Sequence, residues 1–150
     1  MKHILFVCTG NSCRSVMAEY LFKHMTQNRA AQVSCSSAGI SAMDGFPSTD
    51  ATIRAMREEG IDVSDHTSRQ LTSEIIEAAD EIYVMEKIHK DWILSLAPEA
   101  AKKVHFLAEY AAPGSLREIG IPDPVRMSDS FYKNVLDSIR DCVKNLVEDL

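Results

Sequence analysis

Ile4, Leu5, Phe6 and Val7 form an unbroken apolar run that begins after Lys2 and stops at Thr9-Gly10-Asn11. A short continuous run bounded by turn residues marks a buried strand, expected over Lys2 to Val7. The pattern then becomes helical: Met17, Tyr20, Leu21, His24 and Met25 recur at spacings that share one helix face, and Ser15 stands where an N-cap belongs. Gln32 to Ser37 alternates, with Val33 and Cys35 on one side, and Ala38-Gly39 closes this second strand. After a loop from Gly39 to Pro47, long enough to overhang a site, Ser48 or Thr49 caps a helix through Glu59, with Ile53 and Met56 inward and Gly60 at its end. Glu81 to Met85 and Val104 to Leu107 read as short strands, with Ile88, Trp92 and Leu96 on a helix between them. Phe131, Val135, Ile139, Cys142, Val143 and Leu146 make the inner stripe of a long C-terminal helix.

Strands alternating with helices predict an α/β fold with a parallel sheet. Neither an internal repeat nor a linker divides the chain, so residues 1–150 are expected to form a single domain. In such sheets ligands collect beyond the C-terminal strand ends. The first loop at that edge is Cys8 to Ser15.

Composition narrows the possibilities further. With 45% hydrophobic and 25% charged residues the chain is an ordinary globular one, and its net charge of −6 disfavours a nucleic-acid partner. The acid is unevenly spread: residues 1–75 carry 7 basic and 8 acidic side chains, residues 76–150 carry 9 and 14, so an anion site is easier to build in the N-terminal half. The run Ile4 to Cys8 is too short for a signal segment or a membrane span, which predicts a cytoplasmic protein with no membrane partner. Cys8, Cys13, Cys35 and Cys142 allow two disulfides that a chain of this size does not need. The cysteines and His3, His24, His66, His89 and His105 form no metal-ligand spacing, so neither a metal nor another cofactor is expected.

The loop Cys8-Thr9-Gly10-Asn11-Ser12-Cys13-Arg14-Ser15 sets a thiol at a strand end and an Arg at a helix start. Between them the backbone has the length to curl round a tetrahedral oxyanion, turning successive amides inward while the helix dipole adds positive potential. Gly10 and Asn11 both tolerate the left-handed conformations such a curl uses. Arg14 matches two phosphate oxygens at once, and the same field stabilises a Cys8 thiolate, a nucleophile beneath phosphorus. Ser15 is placed to donate to that sulfur. A Cys and an Arg at this spacing are weak evidence alone; the strand-turn-helix context carries the reading. Ile121-Pro122-Asp123-Pro124 offers an acid on a stiff loop, suited to protonating a leaving group.

Together, the C-T-G-N-S-C-R-S loop, Ser36-Ser37-Ala38-Gly39, His66 followed by Arg69-Gln70, and Asp123-Pro124 resemble the low-molecular-weight protein-tyrosine phosphatase family over nearly the whole chain. The resemblance implies a doubly wound four-stranded parallel sheet flanked by helices on both faces, and hydrolysis through a phosphocysteine. By position it implies Cys8 as nucleophile, Arg14 as phosphate clamp and Asp123 as the acid that later activates water. Thr9, Gly10, Asn11, Ser12, Cys13 and Ser15 supply the phosphate loop, and Asn11, Ser15, Ser37 and His66 match the network that supports it. Cys13 matches a second loop cysteine, either a partner for a reversible disulfide with Cys8 or a small buried filler.

The expected substrates are phosphorylated proteins, nominally phosphotyrosyl, with phosphate-like anions as ligands. Several departures point elsewhere. Val16 replaces a common Pro, Val125 and Arg126 stand where phosphotyrosine-directed members usually place aromatic residues, and the Gly39 to Pro47 loop offers Met43 and Phe46 in place of a Trp. Ser12 resembles the small Thr of the bacterial protein-arginine phosphatase branch, so phosphoarginine is the alternative substrate, against which Arg126 would act if it faced the pocket. Two other classes use the same loop: thiol-dependent arsenate reductases, which need relay cysteines, and inactive phosphoprotein-binding modules.

Overall fold

The computed structural model describes residues 1–150, apart from the side chain of Ser115. Four parallel strands, β1 (Lys2–Cys8), β2 (Val33–Gly39), β3 (Glu81–Val84) and β4 (Val104–Phe106), form one sheet in the order β2-β1-β3-β4. The helices are α1 (Arg14–Met25), α2 (Asp50–Glu58), α3 (Ser73–Ala78), α4 (Lys87–Leu96), α5 (Ser115–Ile119) and α6 (Asp129–Glu148), with short 3-10 turns at Gln27–Arg29, Pro98–Lys103 and Leu107–Tyr110.

The apolar run of β1 divides by alternation. Ile4, Phe6 and Cys8 enter the core built by α1 and α6, whereas Leu5 and Val7 enter a second core with Ile76 of α3 and Ile93 of α4. Phe6 meets Phe22 of α1 edge to face, with centroids 5.8 Å apart. Helices therefore cover both faces, as the resemblance implies.

Four local expectations are corrected. Ser15 is not the N-cap of α1: Cys13 is, without a side-chain bond, and Ser15 is buried inside the first turn. The α4 stripe is shifted, since Ile88 and Leu96 are exposed and Trp92 is half-buried, while His89 and Ile93 face inward. His89 is admitted because both its ring nitrogens are hydrogen-bonded. On α1, His24 is exposed and Phe22 is buried in its place. The second strand also extends through Ala38 and Gly39, and Thr49, not Ser48, caps α2 by accepting from the Thr52 amide.

Candidate active site

Cys8 ends β1 and Arg14 begins α1, so residues 9–13 must turn within the space between sheet and helix. The carbonyls of this loop are held from outside. Cys8 O accepts from Ile40 N (3.0 Å), Thr9 O from Ser41 N (2.9 Å), Asn11 O from His66 Nε2 (3.1 Å) and Ser12 O from Thr49 N (3.2 Å). Among the described residues, the amides of Gly10, Asn11, Ser12 and Cys13 donate to no protein acceptor. Carbonyls fastened outward and unspent amides at a helix N-terminus make a concave anion site.

Asn11 is the keystone of the turn. It is fully buried at φ 52°, its Nδ2 donates to Ser15 Oγ (2.8 Å) and Ser37 Oγ (2.9 Å), and its Oδ1 accepts from the Arg69 amide (3.0 Å). Ser37 donates onward to Glu19 Oε1 (2.5 Å), and the Ser15 hydroxyl, 2.9 Å from Cys8 Sγ, has its proton free for that sulfur. His66 presents Nε2–H to the Asn11 carbonyl, and burial lowers its pKa so that it stays neutral there. Gly10 does not need the left-handed region; Asn11 alone takes the positive φ within the loop.

Gly39 sets the distance between β2 and the loop. A Cβ there would lie 2.5 Å from Thr9 O and 2.9 Å from Asn11 N. Gly39→Ala should therefore displace the loop, and we expect its kcat/KM to fall by at least about tenfold, the loss that a shift of a few tenths of an ångström in a preorganised site produces. Measuring phosphate affinity alongside will show whether the loop has moved, since anion binding should weaken too.

The Arg14 guanidinium is buried and directed by three elements. Its Nη1 donates to Glu86 Oε2 (2.5 Å) and to Ile121 O (2.8 Å), while Nη2 lies 3.5 Å from Thr9 Oγ1 and 3.8 Å from Asp123 Oδ2. With Nη1 fully engaged, the Nε–Nη2 edge is left for a ligand. Asp123 reaches the same place from the opposite rim. Its Oδ1 accepts from Val125 N (3.0 Å), which leaves Oδ2 over the cavity, and its side chain is 46% exposed. This rim is tied to the end of β3 by Ile121 N donating to Met85 O (3.0 Å), an approach that Gly120 permits because a Cβ there would sit 2.5 Å from that oxygen.

Cys8, Thr9, Gly10, Ser12, Cys13, Arg14, Asp123 and Val125 line one cavity of about 180 Å³. Ser37 and His66 stand behind it, and Arg126 is absent from its lining. Cys13 Sγ lies 3.5 Å from Tyr132 OH and 3.6 Å from Thr49 Oγ1. Among the described residues no group of ligands could hold a metal ion, and no helix is long and apolar enough to cross a membrane. Glu19, Thr49, Glu86, His89 and Tyr132 are neighbours of the site that the sequence pattern does not announce, and Arg69 is legible there only as a marker of the resemblance. Glu86 and His89 follow directly on β3, at the same C-terminal sheet edge as Cys8, and that position was the available signal.

The family model for low molecular weight phosphotyrosine protein phosphatase matches residues 3–150. The chain is 36% identical over 147 residues to a protein-arginine-phosphatase of Bacillus subtilis, covering 98% of this chain and 95% of that protein. It is 35% identical over 147 residues to an arsenate reductase of Brevibacillus brevis, with the same 98% and 95% coverage. The crystal structure of a low molecular weight protein tyrosine phosphatase from T. tengcongensis superposes with a TM-score of 0.90 at 32% identity over 100% of both chains. With the match spanning both the sheet and the cavity loop, this chain belongs to the low molecular weight phosphotyrosine protein phosphatase family.

Proposed function

We propose that the chain removes phosphate from phosphorylated protein side chains through a phosphocysteine at Cys8. The observation that carries this reading is the convergence of Cys8, Arg14 and Asp123 on one cavity floored by unspent amides. The Cys8 thiolate attacks phosphorus, the S–P bond forms as the bond to the leaving atom breaks, and Asp123 delivers a proton to that atom. The loop amides and the free Arg14 edge hold the three equatorial oxygens while charge shifts. Water then attacks the phosphocysteine, Asp123 takes its proton, and phosphate leaves as the thiolate reforms beside the Ser15 hydroxyl. A working thiolate needs reducing surroundings, so the cytoplasm is the compartment we infer.

Phosphotyrosine is the nominal substrate, and one observation favours phosphoarginine as a second reading. Among the described residues, the cavity is lined by Ser12, Val125 and Asp123 and by no aromatic side chain that would wall a phenyl ring, and Arg126 does not stand in it to repel a guanidinium. A carboxylate and a hydroxyl suit a guanidinium's donors. Comparing kcat/KM on phosphotyrosyl and phosphoarginyl peptides tests both. Ser12→Ile should lower the phosphoarginyl value about tenfold or more and raise the phosphotyrosyl one, because a lost hydrogen-bonding partner discriminates strongly; unchanged ratios would remove position 12 from specificity. Failure of the wild-type protein to hydrolyse any aryl phosphate would end the phosphatase reading.

Arsenate reduction is disfavoured because it needs further thiols that can reach the attacked sulfur. Cys35 on β2 donates to Glu19 O of α1 and burial pushes its thiol up to about 12, while Cys142 on α6 is buried and pushed up to about 11. Neither lines the cavity; Cys13 does, and it leaves no further cysteine there to relay a disulfide onward.

A further inference from the structure

His89 occupies the first turn of α4, completely buried, with both nitrogens committed. Its Nδ1 accepts from the Glu86 amide (3.1 Å) and so carries no proton. Nε2 therefore bears the hydrogen and gives it to Thr9 Oγ1 (2.9 Å). Arg14 Nη2 approaches the same oxygen at 3.5 Å. With donors arriving on both lone pairs, the Thr9 O–H takes the remaining tetrahedral direction. Thr9 also lines the cavity beside Cys8 and Arg14.

Burial first, then the Arg14 charge, lower the pKa of His89 to about 4, with Asp123 opposing. The imidazole thus stays neutral and its tautomer does not change near neutral pH. We propose that His89 is a positioning residue which, through Thr9, fixes a hydroxyl donor on a bound phosphoryl oxygen. The proposal rests on the phosphatase reading. It assigns Thr9 a substrate contact through its side chain, in addition to its place in the loop backbone.

The test compares Thr9→Val, His89→Asn, His89→Gln and the double variant Thr9→Val/His89→Asn, using kcat/KM on a small aryl phosphate, the inhibition constant of inorganic phosphate, and Tm. Asn places a polar group near Nδ1 but cannot reach Thr9, whereas Gln can bring an N–H to the position of Nε2. Thr9→Val and His89→Asn should each lower kcat/KM about tenfold, the loss expected for one hydrogen bond to a charged ligand. The double variant should fall no further than either alone, and Gln should restore activity to within about threefold of wild type. Phosphate should bind more weakly in the same variants that lose activity.

Wild-type kcat/KM in Thr9→Val would overturn the proposal. So would losses that multiply in the double variant, or a lowered Tm in Asn and Gln alike with kcat/KM unchanged, since that is what packing alone would produce. If His89→Asn does not fold, Thr9→Val and His89→Gln still decide, because the first must lose activity and the second must keep most of it. An inactive wild-type protein would instead overturn the phosphatase reading itself, so the two failures are distinguishable.

Discussion

Cys8→Ser is expected to lower turnover of a small aryl phosphate by more than about 10⁴-fold while leaving phosphate or vanadate binding within a few-fold of wild type. The two results separate because they depend on different atoms. Anion binding draws on the amides of Gly10 to Cys13 and on the free edge of Arg14, whose positions are set by Asn11, Glu86 and Ile121. None of these contacts uses the sulfur. Covalent transfer, in contrast, needs an ionised nucleophile, and a serine hydroxyl beside the Ser15 hydroxyl stays protonated. Steady-state kinetics with calorimetric titration of the anion gives both numbers. Turnover surviving in the variant would remove Cys8 from the chemistry, and lost anion binding would show that the sulfur also maintains the loop.

For Asp123→Asn the expected loss is about 10² to 10⁴-fold on substrates with poor leaving groups, and distinctly less on activated aryl phosphates that depart without a proton. The amide can still accept from Val125 N, so the rim between Pro122 and Pro124 keeps its shape and only the proton is removed. The diagnostic quantity is the slope of log kcat/KM against leaving-group pKa, which should steepen in the variant. An equal loss on every substrate would mean that Asp123 acts by charge alone, beside Arg14 Nη2 at 3.8 Å, without passing a proton.

Much of this architecture was legible because it depends on local pattern. The apolar run Ile4 to Val7, the turn at Thr9-Gly10-Asn11 and the helical spacing after Arg14 are local features, and they placed Cys8 and Arg14 on a strand end and a helix start. Boundaries were less legible where hydrogen bonds from distant residues decide. Ser15 has the side chain of an N-cap, yet Asn11 and Cys8 hold its hydroxyl inside the helix turn. The α4 stripe read from Ile88, Trp92 and Leu96 failed because periodicity counts apolar residues, and a histidine with two hydrogen-bond partners can be buried as readily.

By itself the sequence determined the alternation of strands and helices, the thiol-to-arginine loop and the stiff acidic rim, all products of short-range sterics and hydrophobic spacing. Only the tertiary structure decided which groups aim that loop. Glu86 and His89 come from the cap and first turn of α4, Arg69 from beyond α2, and Ile121 from a segment more than a hundred residues from Arg14. Their roles depend on three-dimensional direction: a carbonyl turned outward, an amide left unspent, or a hydroxyl forced to donate because its lone pairs are occupied. No one-dimensional pattern encodes such directions, because they are fixed when the parallel sheet brings its C-terminal strand ends to one edge.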